Sequence, residues 1–166
     1  MQLSAQGRHN SAAALYERLG ARTTPPDATD LGMAAVREWL AARNAAEAQR
    51  AYATIVAPPA ADATRVLEWR GLEVDVKLAL GQAAEAWRLA RALPEPRSQP
   101  SLQWQLRAAL AAARPVDAVQ AATALDRLLA TDAERRAAVP VGFRVLEFAV
   151  DGEFDQLQQV ALQPEQ

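Results

Sequence analysis

Alanine supplies about a quarter of this chain, 40 of 166 residues, and that bias limits its folds more than any other feature. Alanine costs no side-chain entropy in a helix and lets two helices approach closely. The next commonest apolar residue is Leu, with 20 copies, while Ile occurs once and Gly seven times. Aromatic residues make up 5% and Val, with 12 copies, is the only plentiful strand former. A sandwich or barrel would need many more β-branched and aromatic residues and frequent glycine turns. The composition therefore predicts an all-α protein whose helices pack through small side chains. At this length the chain is one domain or one array of repeats.

Several function classes fall away on the same counts. The net charge of −2 gives no field that would draw nucleic acid or an anionic membrane. Of the 18 basic residues 17 are Arg, with Lys77 the single Lys, and they alternate with acids along the chain. No stretch is long and apolar enough to span a bilayer, and Met1-Gln2-Leu3-Ser4 does not read as a signal peptide. There is no Cys, so disulfides, thiol catalysis and thiolate metal sites are absent together. A cysteine-free chain suits reducing and oxidising compartments equally.

Proline clusters punctuate the helical pattern at Pro25-Pro26, Pro58-Pro59, Pro94 with Pro96 and Pro100, Pro115, and Pro140. They divide the chain into helices expected near 9–21, 29–43, 45–57, 61–80, 82–93, 101–113, 116–130 and 132–149, with another from about 153. Asn44-Ala45-Ala46-Glu47 and Thr131-Asp132-Ala133-Glu134 fit the capping box, in which cap and Glu side chains bond each other's backbone N–H groups. Pro115 suits a first helical turn, where a missing N–H costs nothing. Pro140 and Gly142 are expected to kink or split the 132–149 helix.

The segment Leu72–Leu80 alternates apolar and polar residues as a half-buried strand does. As a helix it carries two stripes, Trp69/Leu72/Val76/Leu80 and Leu67/Val74/Leu78, which suits a helix buried on two sides. No second strand is available to pair with it, so helix is the expectation.

A repeat runs through these helices. A small residue is followed four later by Tyr or Ala and three further by an aliphatic residue: Ala12-Tyr16-Leu19, Ala48-Tyr52-Ile55, Ala86-Ala90-Leu93 and Ala118-Ala122-Leu125. The first residues are spaced by 36, 38 and 32. These bracket the period of about 34 residues of tetratricopeptide helix–turn–helix units. Gly7 and Gly81 each lie five residues before the small position and are expected to form the turn, with a weaker further start at Asp151-Gly152. The expected architecture is an antiparallel stack of paired helices, a tetratricopeptide-like solenoid over residues 1–166.

Residues that carry chemistry are sparse. His9 is the only histidine and has no Cys, second His or acidic cluster beside it. No nucleophile elbow, phosphate-cradling glycine loop or metalloprotease motif occurs. The acid pairs Glu73/Asp75 and Asp132/Glu134 are two apart, which points them to different helix faces. No catalytic, cofactor or metal residue is assigned, and the chain is expected not to be an enzyme. Trp39, Trp69, Trp87 and Trp104 are read as inter-repeat core, the alternative being one exposed Trp that anchors a partner. Arg65/Arg70 and Arg135/Arg136 could receive a partner's carboxylate, or only solvate a face.

The order of phrases resembles the N-terminal domain of the penicillin-binding protein activator lipoproteins, the LppC/LpoA type, over about residues 11–150. Ser11-Ala12-Ala13-Ala14-Leu15-Tyr16 is similar to that family's opening helix, and Ala34-Ala35 through Leu40 to its second. Leu78-Ala79-Leu80-Gly81, Ala86 and Ala92-Leu93-Pro94-Glu95-Pro96 resemble its third unit. Gln103 with Leu106-Arg107-Ala108-Ala109, then Ala118 and Leu125-Asp126-Arg127-Leu128-Leu129, follow in family order. Phe143-Arg144-Val145-Leu146 stands where the family tends to carry an Ile-Trp pair, and the lipid-modified cysteine has no counterpart here.

The resemblance implies a non-catalytic helical domain of an outer-membrane lipoprotein that activates a bifunctional penicillin-binding protein in peptidoglycan synthesis. The domain would serve as spacer or docking surface on the periplasmic side of the outer membrane. A periplasmic-binding-protein-like domain would follow residue 166, and membrane attachment would come only through a lipid anchor outside this chain. No cofactor is implied. A plain tetratricopeptide adaptor holding a peptide or helix in its groove is the alternative.

Overall fold

The computed structural model describes residues 2–129 and places seven α-helices there, with no strand among the described residues. The expected helices at 132–149 and from 153, the Thr131 cap, Asp132/Glu134, Arg135/Arg136, the Pro140–Gly142 kink and the Asp151 start lie outside the described residues. The helices are α1 (Gln2–Gly20), α2 (Asp27–Ala41), α3 (Ala45–Thr54), α4 (Ala63–Ala79), α5 (Ala83–Arg91), α6 (Gln99–Ala111) and α7 (Pro115–Leu128).

From α2 onward the helices form three hairpins, α2–α3, α4–α5 and α6–α7, whose first helices begin 36 residues apart at Asp27, Ala63 and Gln99. Each hairpin turns the same way. Arg43, Gly81 and Ala113 hold left-handed φ values of 56°, 71° and 52°. The next N–H in each case reaches back to a carbonyl five residues earlier: Asn44 to Trp39, Gln82 to Lys77 and Arg114 to Ala109, all at 2.9 Å. The left-handed residue itself bonds the carbonyl three before it, Leu40, Leu78 or Leu110. This is the Schellman ending, which satisfies carbonyls left open at a helix C-terminus. Only one of the three turns uses glycine.

The buried small residues follow from that register. Ala48, Ala86 and Ala118 each lie five residues after the left-handed position, and all three are buried. Gly7 does not continue the series. It lies inside α1, with open space around it, so it forms no turn. With no turn to set the count, the fully buried alanine of α1 is Ala13 rather than Ala12, and Leu19 is exposed.

The ends of the helices have local causes. Asn44 accepts from the Glu47 N–H at 3.3 Å. The reciprocal half of the expected capping box does not form, because the Asn44 N–H is committed to Trp39 and Glu47 pairs with Arg50. α3 ends at Thr54, short of the expected 57, since Ala57 precedes Pro58 and the backbone is already extended at Ile55. α6 begins at Gln99 rather than 101. Ser98 caps it through the Ser101 N–H, and Pro100 sits in the first turn rather than breaking the helix. Pro115 opens α7 as expected.

Leu72–Leu80 is helical from Leu72 to Ala79, within α4, and its two stripes serve two cores. Leu72 and Val76, flanked by Trp69 and Leu80, join Met33, Val36, Ala48 and Ala51 of the first hairpin. Val74, flanked by Leu78, joins Ala86, Trp87, Leu106, Ala109 and Ala118 of the second and third. The alternation that imitates a strand is thus the sum of two helical stripes facing opposite neighbours.

Candidate partner-binding groove

The first helices of the hairpins, α2, α4 and α6, pack side by side. Arg37, Asp75 and Arg107 each lie six residues before the left-handed residue of their turn, so equivalent positions carry a row of plus, minus, plus. Arg107 Nη2 stands 2.8 Å from Asp75 Oδ1, and Arg37 Nη2 stands 3.2 Å from Glu68 Oε2. The indole Nε1 of Trp104 donates to Asp75 Oδ2 at 3.0 Å. The groups surround a cavity of about 440 Å³, floored by Leu40, Leu72 and Leu78. A second recess of about 390 Å³ shares Arg37 and Glu68 with it and runs on along α2 and α4 to Asp30 and Arg65.

Asp75 is the electrostatic centre of this face. Burial pushes its carboxyl above the ordinary aspartate range, while Arg107 and the Trp104 N–H oppose that rise. Among the described residues its Oδ1 is met by Arg107 Nη2 alone, at ion-pair distance.

Arg65 is occupied within the chain. It grips both oxygens of Asp30 at 2.9 and 3.0 Å and reaches Asp62 Oδ2 at 2.6 Å, which ties α2 to the start of α4. These bonds favour its charged form, and the Arg65 backbone N–H, donating to Asp62 Oδ1 at 3.1 Å, together with the guanidinium holds Asp62 below its usual range. Arg70 is exposed on α4. The four tryptophans all belong to the packing. Trp69 stacks on Tyr52 with ring centres 5.8 Å apart, and Trp87 is buried beneath the guanidinium groups of Arg91 and Arg114. Trp39 donates to Glu17 at 2.6 Å, and Glu17 also receives Arg50, so one carboxylate joins α1, α2 and α3. His9 Nδ1 lies 2.6 Å from Glu38 Oε2 and links α1 to α2.

Arg37, Glu68, Asp75 and Arg107 were not distinguishable by residue type or motif. The one signal, for Arg37, Asp75 and Arg107 alone, is their distance from the turns, which needs the turns to be known. Among the described residues no group of three or more His, Cys, Asp or Glu could hold a metal, and no helix is long and apolar enough to cross a membrane.

Fold and groove together define an all-α protein of repeated helical hairpins with a charged face along its first helices. No family model, curated protein or solved structure matches the chain.

Proposed function

We propose that this chain is a non-catalytic docking domain of tetratricopeptide-like organisation, acting by holding a protein partner rather than by bond chemistry. The observation that carries this reading is the threefold recurrence of one hairpin with its first helices packed side by side. Such arrays present extended surfaces, and their length suits bridging between distant sites. In the groove, two guanidinium groups flank a partly buried carboxylate and an indole, a set fitted to orient a peptide or helix.

The family resemblance gives the partner: a bifunctional penicillin-binding protein, activated on the periplasmic side of the outer membrane by the lipoprotein to which this domain belongs. Activation there is a population shift, the activator binding the active synthase better than the inactive one. The domain contributes reach or a second contact, with the main activating surface on the following domain.

The deciding experiment is glycan-chain polymerisation by the synthase, with the full-length lipoprotein and with residues 1–166 alone. Stimulation by the full-length protein only is the expected result. Equal stimulation by residues 1–166 would overturn the spacer role. If the full-length protein stimulates no bifunctional synthase, the plain adaptor reading replaces this one.

A further inference from the structure

Counted back from the three turns, the face of α2, α4 and α6 repeats in rows. Six residues before the left-handed residue stand Arg37, Asp75 and Arg107, and one helical turn on, three residues before it, stand Leu40, Leu78 and Leu110. Ala41, Ala79 and Ala111 follow, all three exposed. Leu40 and Leu78 are half-buried and Leu110 is 37% exposed, so each first helix ends in a Leu-Ala step with apolar surface open to solvent. One cavity meets Arg37, Leu40, Asp75, Leu78, Ala79 and Arg107, and so joins these rows across the three helices. Arg37 and Arg107 each keep 53% of the side chain exposed, whereas Asp75, on the helix between theirs, is recessed at 22%. An apolar row thus lies beside a charged row of order plus, minus, plus.

We propose that this face takes an amphipathic helix of a protein partner, laid across α2, α4 and α6. One apolar residue per heptad of that helix covers the leucine row, and its charges run acid, base, acid over Arg37, Asp75 and Arg107. This rests on the docking role proposed above and specifies what docks. Spacing selects the helix. Packed neighbouring helices lie about 8–10 Å apart, and seven residues of helix advance about 10.5 Å and return to nearly the same face. A strand covers that distance in about three residues but then presents its opposite face. Charge selects the order. The ion pairs of Arg37 with Glu68 and of Arg107 with Asp75 leave half of each arginine exposed, so a partner's carboxylate can share each guanidinium. The central position takes a Lys or Arg, whose stem lies on the leucine floor while its head faces the recessed Asp75.

Fluorescence anisotropy with labelled synthetic helices on the whole chain tests it. The probe is an Ala-rich peptide of three heptads with one Leu in each and Glu, Lys, Glu at the successive positions four residues after the leucines. One control exchanges these to Lys, Glu, Lys, and a second keeps the composition but reorders it to Lys, Glu, Glu. The Glu-Lys-Glu helix should bind about tenfold or more tightly than either control. The chain's net charge of −2 favours the Lys-Glu-Lys helix non-specifically, so that preference cannot come from net charge. Arg37→Glu with Arg107→Glu should reverse the preference. Arg88→Glu, at an exposed position on α5, should leave it unchanged, and melting curves show that the variants are folded. Equal affinity for the three helices, no binding of any, or a preference indifferent to Arg37 and Arg107 would overturn the proposal. Stimulation of the synthase by the full-length lipoprotein, with no such preference here, would overturn this inference alone and leave the docking role standing.

Discussion

The indole of Trp104 fills the space that a side chain at Gly71 would need, so the second and third hairpins meet ring against bare backbone. A Cβ added at Gly71 would overlap the six-membered part of the ring, and the same indole donates to Asp75 one helical turn along α4. The ring is held on one side by a close approach and on the other by a charged acceptor. The second hairpin can therefore shift against the third only by losing both.

Gly71→Ala should accordingly destabilise the protein by about 1–3 kcal/mol through overpacking. Gly7→Ala, in the open interior of α1, should stabilise it by about 0.5–1 kcal/mol, since only the helical entropy of glycine is at stake. Chemical denaturation followed by Trp fluorescence checks both. Equal effects of the two substitutions would refute the ring-on-glycine contact.

Ala48 and Ala86 are both fully buried where the second helix of a hairpin meets its neighbours. Ala48→Leu and Ala86→Leu should each cost about 1–3 kcal/mol, whereas Ala46→Leu, on the exposed side of α3, should be close to neutral. Thermal melts that do not separate Ala48 from Ala46 would show the helix to be rotated from its assigned face.

The three turns make a matched set. Glycine adopts a left-handed φ without steric penalty, whereas the Cβ of Ala or Arg makes it cost about 1–2 kcal/mol. Gly81→Ala should lower stability by about 1 kcal/mol, and Ala113→Gly and Arg43→Gly should raise it by a similar amount. Denaturant midpoints measured on the three variants check the opposite signs.

Asp75 predicts a pH dependence of definite direction. Its folded pKa lies above its unfolded value of about 3.9, so the native state binds the proton more tightly. The stabilisation from this group is full below that unfolded value and is lost as pH rises through the raised folded pKa. Asp75→Asn keeps an acceptor for Trp104 and removes the titration. Its melting temperature, compared with wild type from pH 4 to 7, should fall less as pH rises. Parallel curves would place the Asp75 carboxyl in an ordinary, solvated state.

The helices themselves were legible because their signals are local. Alanine and leucine favour the helix, prolines stop it, and Asn44 and Pro115 mark starts by which backbone groups they satisfy or lack. The Leu72–Leu80 alternation resolves to helix because a lone strand would leave its backbone hydrogen bonds unmet. Gly7 carries the same spacing as Gly81, because a glycine five residues before a small residue looks the same inside a helix as at a turn. Nothing in the side chains of Arg43 and Ala113 favours the left-handed conformation they adopt, so those two turns leave no mark in the sequence.

What the amino-acid sequence determined by itself was the all-α class, the breaks at the proline clusters and the small residues that allow close helix contact. Each depends on a residue and its near neighbours, and propensity and backbone sterics act over that distance. The tertiary structure decided which stripe of α4 serves which core, that Ala13 and not Ala12 is buried in α1, and that Arg37, Asp75 and Arg107 share one face. Those outcomes depend on how far each helix is rotated when it meets the next. That rotation is set by the three Schellman turns and by contacts such as Trp104 on Gly71, between residues more than thirty positions apart in the chain.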